Sequence, residues 1–122
     1  MRLSEAIRLG AMATEQGHGA SSIASDTAPC ALGAARLAAG IRGNVDSPVA
    51  AYSALALRWP MLDELVAMPI EKTRVLLLMD AIWRLNDWPN FWTREQIADW
   101  VQTIEDAQPI EQPEPVSEKV TA

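Results

Sequence analysis

Cysteine occurs once in this chain of 122 residues, as Cys30, and histidine once, as His18. A single cysteine permits no intramolecular disulfide and no cysteine cage for a metal. Its plain role is that of a small buried hydrophobe. A nucleophilic role needs a base, and His18, in the sequence GHG, is the sole histidine that can supply one. Long apolar runs are also missing. The run from Val75 to Met79 stops at Asp80, whereas a membrane-crossing helix needs about 20 mostly apolar residues. The opening residues, MRLSEAIRLGAM, hold Glu5 and Arg8 within their apolar pattern, unlike the core of a signal peptide. These absences lead us to expect a cytoplasmic, non-enzymatic protein with no metal, no cofactor and no membrane segment.

Positive charge is scarce too. The chain carries 10 basic and 16 acidic residues, for a net charge of −6. Residues 1–58 hold +1 and residues 59–122 hold −7. Affinity for nucleic acid comes largely from Lys and Arg displacing counterions from phosphate, so this balance disfavours a nucleic-acid partner. An acidic surface can instead imitate a nucleic acid, although a charge of −6 is thin support for that.

What is present is a normal globular share of hydrophobic residues, 49%, in a length that suits one domain. The apolar spacing is helical almost throughout. LSEAIRLGAMATEQ reads as a helix with Ser4 as its N-cap and a small, weakly apolar face that suits close docking. Residues 16–28, rich in Gly and Ser, read as a loop. PCALGAARLAAG follows as a tightly packed internal helix, opened by Pro29 and capped by Gly40. After a turn over residues 42–46, Ser47 and Pro48 start a third helix with Val49, Tyr52, Leu55 or Ala56, and Trp59 on one stripe. PMLDELVAM reads as a short helix between Pro60 and Pro69. The longest pattern, IEKTRVLLLMDAIWRLND, reads as a central helix over 70–87 with Val75, Leu78, Met79, Ile82 and Leu85 inward. Its wide apolar face suggests a homodimer.

The sharpest local signal is LNDWPNFWTREQIADW, which holds three of the five tryptophans. Pro89 forbids continuation of the preceding helix. Thr93 and Gln96 have the spacing of a capping box, and Trp92 with Ile97 that of a hydrophobic staple. A helix therefore starts at 93–94. TREQIADWV also resembles the first helix of a helix-turn-helix unit, but the acidic, proline-broken QTIEDAQPIEQPEPV offers no basic recognition helix. The aromatics Trp88, Phe91 and Trp92, with Arg94 beside them, are candidate partner-binding residues, since tryptophan-rich surface clusters often anchor protein partners. The favoured reading nevertheless places these rings in the core at the end of the bundle, with Trp88 the best candidate for exposure. From Asp106 onward the tail is acidic, rich in proline and short of bulky apolar groups, so disorder is expected there.

Taken as a set, MRLSEAIRLGAM, CALGAA, LRWPML and LND…WTREQIADWV resemble a family of small uncharacterised bacterial and prophage proteins. The resemblance spans residues 1–106 and implies a phage or mobile-element origin without assigning a chemistry. Members of that family carry a Cys-Pro-x-Cys pair ahead of the long helix. The matching stretch here, AMPIEK, contains Met68 and Ile70 and no cysteine, which puts any metal or redox role in doubt.

The combined expectation is an all-α domain over residues 1–107, a small bundle of five or six helices. It closes on a C-terminal helical hairpin and is followed by a disordered acidic tail over 108–122. The function expected is protein binding or regulation through a protein partner. A DNA-binding regulator using the 93–104 helix is the alternative, and a small enzyme built on Cys30 and His18 ranks last.

Overall fold

Hydroxyl side chains set two of the helix starts, at residues 48 and 94, and a computed structural model, which describes residues 1–42 and 47–107, shows where each helix goes. The helices are α1 (Leu3–Met12), α2 (Ala31–Ala38), α3 (Pro48–Arg58), α4 (Leu78–Asn86) and α5 (Arg94–Ala107). Short 3₁₀ turns cover Ala20–Ala24 and Pro60–Asp63. The chain is mostly helical but not all-α. Strands β1 (Leu65–Ala67) and β2 (Val75–Leu77) pair antiparallel, with Leu65 opposite Leu77 and Ala67 opposite Val75.

This hairpin replaces the later part of the helix expected over 60–68, whose start survives as a 3₁₀ turn, and the first half of the one over 70–87. Short apolar runs such as LVA and VLL fit a strand as well as a helix, because periodicity alone cannot separate the two. The turn between them decides the matter. Glu71 adopts φ 52°, its carbonyl accepts from Arg74 N at 2.8 Å, and Met68 N donates to the Arg74 carbonyl at 2.9 Å. The central helix therefore begins only at Leu78, so residues 70–87 do not form the single helix on which the expected dimer rests.

Helices α1 and α2 lie closely together, as their small residues suggest, and α5 lies chiefly along α1 rather than against α4. The expected C-terminal hairpin is thus a connection in sequence more than a packing pair. Leu3, Ile7, Leu32, Leu55, Leu62, Leu78, Ile82, Leu85, Ile97 and Val101 are fully buried together. The stripe expected on α3 is rotated: Ala51, Leu55 and Trp59 are buried, while Val49 is exposed. The indole Nε1 of Trp59 donates to the Met1 carbonyl at 3.1 Å.

Local capping chemistry holds where the partner is nearby. Ser47 Oγ accepts from Ala50 N at 3.2 Å. Thr93 Oγ1 accepts from Gln96 N at 3.0 Å, and Gln96 Oε1 accepts from Thr93 N at 2.8 Å. Gly40, at φ +71°, ends α2: its amide donates to the Leu37 carbonyl, and that of Ile41 donates to the Arg36 carbonyl. This is the Schellman arrangement, which favours glycine because the left-handed region costs it nothing.

Ser4, expected as the α1 cap, lies instead inside the first turn. Glu105, on α5, takes over that role. Its carboxylate accepts from Ser4 N at 3.1 Å and from Ser4 Oγ at 2.5 Å, and Arg2 Nε stands 3.3 Å away. A carboxylate at a helix start satisfies an orphan amide and meets the positive end of the dipole. The Glu105 side chain is almost fully buried, so its bonds are little screened. Glu105→Ala is expected to cost about 2 kcal/mol in urea denaturation. A loss below about 0.5 kcal/mol would show that solvent substitutes for this cap.

The expected turn at 42–46 and the tail over 108–122 lie wholly or largely outside the described residues. No helix among those described is long and apolar enough to cross a membrane.

Candidate functional site

The aromatic loop between α4 and α5 is anchored from below by one asparagine. Asn86 is fully buried, where an unsatisfied amide is costly, and all of its bonding capacity is used. Its Oδ1 accepts from Gln16 Nε2 at 3.0 Å and from Ala31 N at 3.1 Å. Its Nδ2 donates to the Gly17 carbonyl and to Asp87 Oδ1, each at 2.9 Å. Asp87 in turn accepts from Gly19 N at 3.1 Å with both oxygens. The end of α4, the start of α2 and the 16–19 loop are thereby tied at one point.

The loop itself is closed by its own backbone. The Asp87 carbonyl accepts from Asn90 N and Phe91 N, each at 3.0 Å, and the Leu85 carbonyl accepts from Trp92 N at 2.8 Å. Asn90 Nδ2 donates to the Arg84 carbonyl at 3.0 Å, and Gln16 Nε2 donates to the Trp92 carbonyl at 2.8 Å. The Trp88–Pro89 peptide is cis. Phe91 sits at φ 47°, a left-handed conformation uncommon outside glycine, and its ring meets the edge of His18 at 5.1 Å.

On this tied frame Trp88 is 77% exposed and Phe91 52% exposed. Trp92 is half-buried and packs against the core. Of the three rings, Trp88 and Phe91 reach the surface together, and Trp92 acts as the staple that its spacing suggests. Beside Trp88 lies a small cavity of about 130 Å³, lined also by Met68, Ile70, Glu71, Arg74, Arg84, Pro89 and Asn90. The hairpin turn, some twenty residues earlier in the chain, supplies half of this wall. Arg74 stands 3.5 Å from Glu71, and Arg84 has no carboxylate within ion-pair distance among the described residues.

Arg94 does not belong to this surface, and its expected role there is corrected. It is buried, and its guanidinium closes the carboxyl end of α1. Nη1 donates to Thr14 Oγ1 at 2.8 Å, and Nη2 donates to the Thr14 carbonyl at 2.6 Å. Longer bonds reach the Pro29 and Ala11 carbonyls. Burial pushes its pKa down from the usual arginine value, while the carbonyls around it replace lost hydration. A second arginine, Arg36, is also buried. It bonds the Ile23 and Ile41 carbonyls and pairs with Asp26 at 2.9 Å. Neither arginine carries a local signal, because its partners lie at the end of α1, in the 3₁₀ turn over Ala20–Ala24 and in loops, at least five residues away in sequence.

No family model, curated protein or solved structure matches this chain. Function is therefore read from its own surfaces.

Cys30 and His18, the pair an enzyme would need, are engaged separately. Cys30 is buried and its Sγ accepts from Gly33 N at 3.4 Å, while the His18 ring packs at right angles to that of Phe91. No group of three or more His, Cys, Asp or Glu side chains among the described residues is arranged to hold a metal ion.

A second concavity, unmarked in the sequence, lies between α3 and α4. It is about 450 Å³ in volume, and Tyr52 and Trp83 are among its walls. Burial, reinforced by negative charge at Cys30, Asp87 and Asp80, pushes the Tyr52 phenol up to about 12. Tyr52 is the only tyrosine in the chain, so phenolate absorbance reads it directly. Ionisation is expected near pH 12 instead of the ordinary value of about 10. The folded value lies above the unfolded one, so any stability this group contributes is present below pH of about 10 and is lost above it. A midpoint near 10 in the folded protein would contradict the half-buried position of the ring.

Proposed function

We propose that this chain is a non-enzymatic protein-binding module that engages its partner through the 88–91 loop, on a small helical bundle as scaffold. The observation that carries this reading is Trp88, 77% exposed on a loop whose main chain is held at both ends. Binding by a pre-ordered ring avoids the entropy of ordering a mobile one, and tryptophan is prominent among interface hot spots. Arg84, which pairs with no described carboxylate, flanks the ring, while Arg74 on the same wall is paired with Glu71; the unpaired cation favours a partner segment that places an apolar residue beside a carboxylate. A cytoplasmic address and a phage or mobile-element origin are part of the same proposal.

Selection from a displayed peptide library tests it. Recovered ligands are expected to pair an apolar residue with Asp or Glu, and Trp88→Ala is expected to weaken them about 30-fold, the scale of a hot-spot ring. Because Trp88 is exposed, its thermal midpoint should hardly move. Peptides that bind Trp88→Ala as tightly as the parent would sink the reading. The DNA-regulator alternative gains nothing from α5, whose single basic residue, Arg94, is buried and whose exposed positions include Glu95 and Asp99.

A further inference from the structure

We propose that the groove between α3 and α4 is a binding site for a small organic cation, an amine or quaternary ammonium carried on an apolar body. The groove is separate from the Trp88 loop. Its volume of about 450 Å³ falls within the range of small-molecule sites, roughly 300–1,000 Å³. Val49, Ala56 and Met79 give it apolar walls, and Tyr52 and Trp83 give it two aromatic ones. Val49 is 74% exposed and Trp83 37% exposed, so apolar surface faces solvent here with nothing in the described chain to cover it.

The charge of the groove selects the ligand. Asp63 and Asp80 are its only ionised lining residues, and no Lys, Arg or His lines it. Neither carboxylate forms an ion pair with a described residue. Aromatic faces attract cations through the ring quadrupole, and tryptophan does so best. The carboxylates repel an anion, and a neutral ligand, which can still bond Ser53 or Tyr52, forgoes the charge attraction. A cation with an apolar body satisfies both parts of the wall at once. Tyr52, neutral at ordinary pH, adds a phenol ring to the wall without a competing charge.

Benzyltrimethylammonium is a suitable probe, because its charge is independent of pH. Benzyl alcohol and benzoate serve as its neutral and anionic counterparts. Titrations of the full chain, followed by amide and indole NMR shifts, are expected to place the cation at Tyr52, Met79 and Trp83. Its affinity should exceed that of benzyl alcohol by about tenfold, with benzoate producing no shift there. Asp80→Asn should weaken the cation about tenfold and leave benzyl alcohol unchanged. Val49→Lys, at an exposed position that tolerates change, should exclude the cation by placing a positive charge at the mouth. The proposal is overturned by equal affinity for cation and alcohol, or by shifts that map outside the groove. It is equally overturned by binding indifferent to both substitutions, or by no saturable shift up to about 10 mM.

Discussion

Gly10→Ala is expected to destabilise the protein by about 3 kcal/mol, the reverse of what the same exchange does on an exposed helix. Alanine ordinarily gains about 1 kcal/mol over glycine within a helix. Here a Cβ on residue 10 would stand 2.0 Å from the Ala34 carbonyl oxygen and 2.5 Å from its carbon. The obstacle is backbone, so no side chain can swing aside. Helix α1 would have to withdraw from α2, opening the pocket that Leu3, Ile7, Leu32 and Ala35 now fill together. Chemical denaturation reads the sign directly. A neutral or stabilising result would mean that the two helices sit farther apart than the structure places them.

Asn86→Leu is expected to cost about 3–5 kcal/mol, although leucine is of similar size and better suited to a helix. The cost arises from the groups left behind. Ala31 N would lose its acceptor and the Gly17 carbonyl its donor, each at about 1–3 kcal/mol when buried. Gln16 would retain the Trp92 carbonyl, and Asp87 would retain the Gly19 amide, so the loop would be weakened rather than freed. Hydrogen exchange adds a second measurement: the Ala31 amide should lose its protection before the amides in the middle of α5. A loss below about 1 kcal/mol would show that water takes over the bonds of Asn86.

These two residues also show which parts of the molecule could be read in advance. Gly10 appears in the sequence as one of several small residues on a weak face, and close docking of that face was the natural expectation. Its neighbour could not be named, since nothing in LSEAIRLGAM points to Ala34. Asn86 reads as a comfortable helix end, with no sign that it binds residues 16, 17 and 31. The same limit explains the candidate site. The exposure of Trp88 follows from a loop whose closure depends on Asp87, Asn90 and Gln16. The wall beside it depends on a hairpin that looked helical. Arg94 stood next to the tryptophans in sequence, but the open carbonyls at the end of α1 drew it inward.

The sequence by itself determined the events that close within about four residues. Ser47 and Pro48 start α3, Thr93 and Gln96 start α5, Gly40 stops α2, and Pro89 separates α4 from α5. Donor and acceptor in such motifs are brought together by the chain's own geometry, so their meeting needs no distant support. Only the tertiary structure decided that residues 65–67 pair with 75–77 and that α5 lies along α1. It likewise decided that Glu105 caps a helix 101 residues away and that Arg94 is buried. Each of these bonds joins groups that become neighbours only after the core has assembled, and the free energy that selects them belongs to the whole packed arrangement.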